Sequence, residues 1–242
     1  MKHTTLSLVL PCHNEEAVIE KTINAAHAWF VRKNISGEII IVDNGSTDRT
    51  ATVLNQLQNK INNLVIVTNG KNMGYGGSIL SGCDMARMDY IAFMDSDGQF
   101  DVSDFDRLLP HLESVKFVSG IRKYRKDSFG RIVSSFLWNI VVKALLGIRA
   151  KDVDCGMKAF HLSIWPQIRP VYGSGNLFSA EMFYRLKKNN IAFKQEIVRH
   201  FPRLRGQTGV IQLSALLQTF SQLWALLLDP KHVGDEGANV SY

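Results

Sequence analysis

Apolar residues in this chain come in short dense runs, separated by longer stretches with helical spacing. Leu6–Leu10, Glu38–Val42, Leu64–Thr68 and Tyr90–Met94 read as buried strands. Between the first two, Ile19, Ile23, Ala26 and Phe30 recur at helical spacing. Asn14 is placed to cap that helix, with Glu15 and Glu16 in its first turn, where the dipole favours acids. Ser46 or Thr47 is expected to start a second helix running to about Gln58, and Ile79–Met88 reads as a third. This alternation predicts an α/β fold with a mostly parallel sheet.

The second half is more mixed. Two long apolar helices are expected, at about Phe129–Leu146 and Val210–Leu228, before a loose tail at Gly234–Tyr242. The resulting division is a catalytic α/β domain over residues 1–209 and a C-terminal amphipathic helix with its tail over 210–242. In parallel sheets ligands bind beyond the carboxyl ends of the strands. Three polar clusters sit there: Pro11–Glu15, Asp43–Asp48 and Asp95–Gln99.

Composition narrows the classes. With 242 residues, 45% of them hydrophobic and 21% charged, the chain can bury a core without a metal staple. Its net charge of +6 points to an anionic partner: a phosphate-bearing substrate, a membrane surface or nucleic acid. Cys12, Cys83 and Cys155 are scattered and odd in number, which suits a reducing compartment and no metal cluster. The N-terminal apolar run is too short for a signal peptide, and no stretch offers the length of a clean membrane span.

The stretch YIAFMDSDGQF raises the main chemical question. If Asp95 and Asp97 continued the strand, alternation would point both carboxylates to one side. Such an oxygen-only set suits Mg²⁺ or Mn²⁺, and Gln99 can add an amide oxygen. A turn rich in Asp, Ser and Gly is the competing reading. Other motifs fail. An EF-hand would need glycine later in the loop and glutamate where Asp106 stands. There is no GxxxxGK[ST], no complete GxGxxG and no GxSxG.

Taken in order, LVLPCHNEE, IIIVDNGSTDRT, KNMGYGGSILSG, FMDSDGQF, VSGIR, DCGMKAF and HFPRLRGQTG resemble family 2 glycosyltransferases of the GT-A fold. The likeness is strongest to the polyprenyl-phosphate, dolichol-phosphate mannose synthase-like branch. It implies a nucleotide-diphosphate sugar donor and an inverting reaction. Pro11, His13 and Glu15 would border the base and ribose, with His13 standing where tyrosine is often found. Asp43 would meet the base or ribose, with Asn72 and Gly74 nearby and Asp95 also on the donor. Asp95, Asp97 and Gln99 match the family's metal and diphosphate site. Arg122 and Arg131 match positions for acceptor phosphate, and Arg203 matches one for donor diphosphate, with Arg205 as its alternative.

The acceptor reading draws on charge and amphipathicity. Lys116–Lys151 holds nine Lys or Arg and one acid, Asp127. The Phe129–Leu146 helix has a wide apolar face flanked by these bases, as in a helix lying on an anionic membrane. Burial in the core or in a homo-oligomer is the other reading of that face. A polyprenyl phosphate joins apolar surface, basic flank and arginines in one acceptor, at the cytoplasmic face of the membrane. Its phosphate is already an anionic nucleophile, whereas a saccharide or other hydroxyl acceptor requires a base, for which Asp154 and Glu181 are the candidates. A non-enzymatic basic α/β module is the further alternative. The acidic DSDGQ cluster argues against it, and nucleic acid is not an expected partner.

Overall fold

The computed structural model describes residues 5–123, 129–173, 175, 177–202 and 213–228. Among these residues seven strands form one sheet: β1 (Thr5–Cys12), β2 (Ser36–Asp43), β3 (Leu64–Thr68), β4 (Tyr90–Phe93), β5 (Phe117–Lys123), β6 (Lys158–His161) and β7 (Phe193–Arg199). Their order is β3-β2-β1-β4-β6-β5-β7. Pairing is parallel throughout, except that β6 runs antiparallel to both β4 and β5. Successive side chains of β1 enter opposite cores. Leu8 and Leu10 join Trp29, Ile39 and Phe105 on one face, while Val9 joins Ile40, Phe93 and Phe178 on the other. The unbroken apolar runs follow from this two-sided burial.

The expected strands form, but the helix starts move. Helix α1 spans Ile19–Lys33, with Val18 at its N-cap and no capping side chain. Asn14 instead takes a left-handed backbone, φ 56°, and its Oδ1 accepts the Thr47 N–H at 2.7 Å. Helix α2 spans Thr50–Gln58, later than Ser46 or Thr47. The Ser46 hydroxyl is spent accepting the Asn14 N–H at 3.0 Å, and Asp48 accepts N–H groups from Thr50 and Glu16. The cap-like residues of both loops thus bind each other and lock the ends of β1 and β2 together.

Helix α3 spans Gly74–Met85, so the glycine-rich segment is its first turn. The helix lies close on the sheet: a Cβ at Gly82 would sit 2.3 Å from a Val9 methyl. It stops where Ala86 turns extended and Glu38 accepts the Arg87 N–H at 3.0 Å. Strand β4 stops at Phe93, so the alternation argument for Asp95 and Asp97 does not apply, and their placement depends on the loop.

Beyond β4 come the short helices α4 (Phe105–Leu108) and α6 (Trp165–Ile168), and the longer α5 (Phe129–Leu146), α7 (Leu177–Lys188) and α8 (Leu213–Leu228). Helix α5 keeps the expected bounds and ends before Gly147, whose φ of 62° suits glycine at that position. Helix α8 packs on α7, with Leu223 and Leu226 buried.

Glu181 on α7, a candidate base for a hydroxyl acceptor, forms a structural clasp. Its fully buried carboxylate accepts the N–H groups of Val171, Tyr172 and Gly173 at 2.7, 3.0 and 2.7 Å, and the Arg185 Nε–H at 2.8 Å. This clasp fixes Gly173, whose carbonyl oxygen lies against Gly76 of α3; a Cβ on Gly76 would be 2.8 Å from it. Glu181→Ala strands a buried guanidinium and three amides. Denaturant unfolding is expected to show a loss of about 3–5 kcal/mol. A loss below about 1 kcal/mol would contradict the clasp.

Candidate active site at the carboxyl ends of the strands

The loop after β4 is pinned from both sides. The Ser96 hydroxyl donates to the Pro11 carbonyl at 2.6 Å, and the Thr22 hydroxyl donates to the Ser96 carbonyl at 3.1 Å. Gly98 adopts φ 79°, and the Gln99 N–H donates to Asp97 Oδ1 at 3.0 Å. Gln99 also pairs with Phe201: its Nε2 donates to the Phe201 carbonyl at 3.1 Å and its carbonyl accepts the Phe201 N–H at 2.9 Å. The amide oxygen of Gln99 takes no part in that pairing.

Asp95 is the most perturbed group in the loop. Its Oδ1 is closed to solvent and has no hydrogen-bond partner among the described residues. Burial, and then the Asp97 charge, push its carboxyl up to about 6. The Tyr75 hydroxyl, Arg122 and Lys158 oppose that rise. Gly156 forms the wall beneath: a Cβ there would lie 2.2 Å from Asp95 Oδ2. An orphaned oxygen, a neighbouring like charge and an oxygen-only donor set fit a hard cation held by Asp95, Asp97 and Gln99. Among the described residues no three His, Cys, Asp or Glu side chains gather as a cation site, so two carboxylates are what the loop offers.

Arg122 ends β5 and is forked onto Asp152, with Nε and Nη2 each 2.8 Å from a carboxylate oxygen. Burial disfavours both charges, but the pairing outweighs it and holds Asp152 below the usual carboxylate range and Arg122 above its own. Asn139 of α5 donates to Asp154 Oδ2 at 3.0 Å and accepts the Val153 N–H at 3.2 Å, tying the segment before Gly156 to the helix. Asp154 is thereby a positioned carboxylate.

On the other side, Asp43 is buried at the end of β2, and its Oδ1 accepts the Ser46 N–H at 3.0 Å. Next to it Asn44 is a hub. Its Nδ2 donates to Asn72 Oδ1 and the Gly74 carbonyl, while its Oδ1 accepts from Asn69 and from the Met73 N–H. Asn72 also accepts the Gly74 N–H at 2.8 Å, so it braces the start of α3. His13 keeps a buried Nδ1 with no partner among the described residues. Glu15 donates its N–H to Thr50 at 2.9 Å. Pro11, His13, Glu15, Asp43, Asn72 and Gly74 thus share one rim with the Asp95 loop.

The family model described as glycosyl transferase family 2 matches residues 7–167. This chain belongs to glycosyl transferase family 2. It is 33% identical over 168 residues to a dodecaprenyl-phosphate galacturonate synthase of Rhizobium johnstonii, covering 68% of this chain and 50% of that protein. An undecaprenyl-phosphate 4-deoxy-4-formamido-L-arabinose transferase of Pseudomonas aeruginosa is 30% identical over 161 residues, 66% of this chain and 48% of that one. The chain spans about half the length of the curated relatives it matches. Among solved structures, glucosyl-3-phosphoglycerate synthase of Mycobacterium tuberculosis, in complex with Mn²⁺, UDP and phosphoglyceric acid, superposes with a TM-score of 0.69. That match has 21% identity and covers 99% of this chain and 82% of the other. The GT-A fold expected from the motifs is the fold of this family 2 chain.

Of the arginines expected in this family 2 site, Arg131 lies on the backbone of α5, while Arg203 and Arg205 lie outside the described residues. The structure adds four residues that sequence reading passed over: Asn44, Tyr75, Asp152 and Lys158. Position in or beside a matched motif was the available signal for all four: Asn44, Tyr75 and Lys158 lie inside quoted segments, and Asp152 lies just before one. The Asp95 environment carries a sign for pH. Its raised value means the fold disfavours the charged form, so cation-free protein loses stability as pH rises from about 4 through about 6. Asp95→Asn is expected to melt above the unmodified chain at pH 7 in chelator, and to lose any stabilisation by Mn²⁺. A variant melting below the unmodified chain at pH 7 in chelator would contradict the assignment.

Proposed function

We propose that this chain transfers a sugar from a nucleoside-diphosphate donor to a polyprenyl phosphate, with inversion and with a divalent cation. The observation that carries the reading is the Asp95–Asp97 pair at the end of β4. One Asp95 oxygen there is buried and unpartnered among the described residues, in a chain of family 2. Relatives named for dodecaprenyl, undecaprenyl and dolichyl phosphate acceptors support the lipid acceptor. Fold neighbours solved with Mn²⁺ or Mg²⁺ and UDP support the cation and a nucleotide donor.

In this reading Asp95, Asp97 and the Gln99 amide oxygen hold the cation. When bound, it offsets the negative charge that builds on the departing diphosphate. Pro11, His13, Glu15, Asp43, Asn72 and Gly74 border the nucleoside. The buried Nδ1 of His13 and the Asp43 carboxylate select among base and ribose contacts. Arg122, anchored by Asp152 through Nε and Nη2, keeps Nη1 for an acceptor phosphate. Arg131 and Arg203 complete the phosphate contacts. A phosphate oxygen attacks without a base, which agrees with a Glu181 sealed inside a clasp and an Asp154 held by Asn139.

Membrane contact fits the same acceptor. Among the described residues no helix is long and apolar enough to cross a membrane. Yet α5 exposes Ile140, Val141 and Leu145, and α8 exposes Trp224 and Leu228, on a chain of net charge +6. These apolar side chains dock peripherally on an anionic bilayer, at the face where the nucleotide donor is supplied.

Two experiments test the reading. Asp97→Asn, assayed with nucleotide sugars and a polyprenyl phosphate in Mn²⁺, is expected to lose roughly 10²–10³-fold in transfer rate. Undiminished metal-dependent transfer would refute the role, and preference for a saccharide over the lipid phosphate in the same assay would refute the acceptor. In the second, Ile140→Asp with Leu145→Asp should weaken sedimentation with phosphatidylglycerol vesicles about tenfold. Unchanged sedimentation would remove these helices from the membrane contact.

A further inference from the structure

The reaction as proposed leaves a buried charged group beside the Asp95 loop unused. Lys158 is fully buried on β6, opposite Phe93 of β4 and Ser119 of β5. Its Nζ donates to the Cys155 carbonyl at 2.5 Å and to the Ser179 hydroxyl of α7 at 3.0 Å. It also lies 5.5 Å from the centre of the Phe93 ring and 5.8 Å from that of Phe183, both π faces that attract a cation. Burial pulls the ammonium down, and the Cys155 thiol with Asp152, Asp154 and Asp95 hold it up.

What the ammonium touches is the frame of the cation site. The Cys155 carbonyl belongs to the peptide that leads into Gly156, the residue whose Cα faces the Asp95 carboxylate. Phe93 is the last residue of β4, two before Asp95. Cys155 is itself wedged, since a Cβ on Gly120 would lie 2.6 Å from its Sγ. One buried side chain therefore ties the wall under Asp95 to the strand that delivers Asp95.

We propose that Lys158 is a positioning residue for the cation site: its ammonium holds the Cys155–Gly156 peptide against the Asp95 carboxylate and so sets where that carboxylate points. This rests on the reading of Asp95 and Asp97 as cation ligands. The alternatives predict different signs. A fixed positive charge near a cation repels it, so by charge alone its removal would tighten Mn²⁺ binding. A mere space-filler would leave binding unchanged when replaced by methionine of similar length.

The test is titration with Mn²⁺ alone, followed by the paramagnetic resonance of free ion, on the full chain and on Lys158→Met and Ser179→Ala. Folding of each is checked by circular dichroism melting. Lys158→Met is expected to bind Mn²⁺ about tenfold more weakly. Ser179→Ala, which keeps the charge but loses one anchor, is expected to bind about two- to threefold more weakly. In transfer assays both should raise the Mn²⁺ requirement and leave the KM for lipid phosphate unchanged. Equal or tighter Mn²⁺ binding by folded Lys158→Met overturns the proposal. Should that variant not fold, unchanged Mn²⁺ affinity in Ser179→Ala overturns it. No Mn²⁺ binding by the unmodified chain overturns the cation reading itself, and this inference with it.

Discussion

Asp95 lies with one carboxylate oxygen against a backbone that has no side chain, and the surrounding loops are arranged around that contact. Gly156 leaves the space, since a Cβ would fall 2.2 Å from Oδ2. The other oxygen is left buried and unpartnered among the described residues. Such a group costs stability in an empty site and repays it when a cation arrives. Asp97, two residues on, adds like-charge repulsion that a divalent ion removes. The antiparallel β6 brings the Asp154–Gly156 segment back beside the end of β4.

Elsewhere the fold invests in rigidity. The interlock of Asn14 with Thr47 and of Asp48 with Glu16 fixes the rim on one side, and the Asn44 hub fixes the start of α3. The Glu181 clasp reaches the same helix from behind, through Gly173 against Gly76. Preorganised donors and carboxylates need not reorganise during charge transfer, which is where such sites gain most of their rate.

Much of this was legible in sequence. The strands were readable because burial on both faces leaves unbroken apolar runs, and α5 because its apolar stripe is long. Helix starts were misread because Asn14, Ser46 and Asp48 have the chemistry of caps but spend it on each other across thirty-odd residues. The third helix was expected over Ile79–Met88 and instead starts at Gly74, where close packing on a neighbouring carbonyl requires Gly76 inside it. Asp95 and Asp97 were found by spacing, although the strand alternation invoked for them stops at Phe93. Glu181 looked like a free acid because its partners are backbone amides, which sequence does not reveal. Lys158 lay inside the quoted DCGMKAF segment, but its burial was not legible, since a lysine in a strand reads as an exposed position until an aromatic pair and a carbonyl are found around it.

The central claim is that the loop after β4 joins a cation to a nucleoside diphosphate. Thermal unfolding of the full chain with a panel of nucleoside diphosphates, with Mn²⁺ and then with chelator, tests it most directly. A ligand that binds only the folded state raises the melting temperature by mass action. The account predicts that at least one nucleotide raises it by several degrees with Mn²⁺ and that the rise disappears in chelator. No rise with any nucleotide, or an equal rise without the cation, would contradict it.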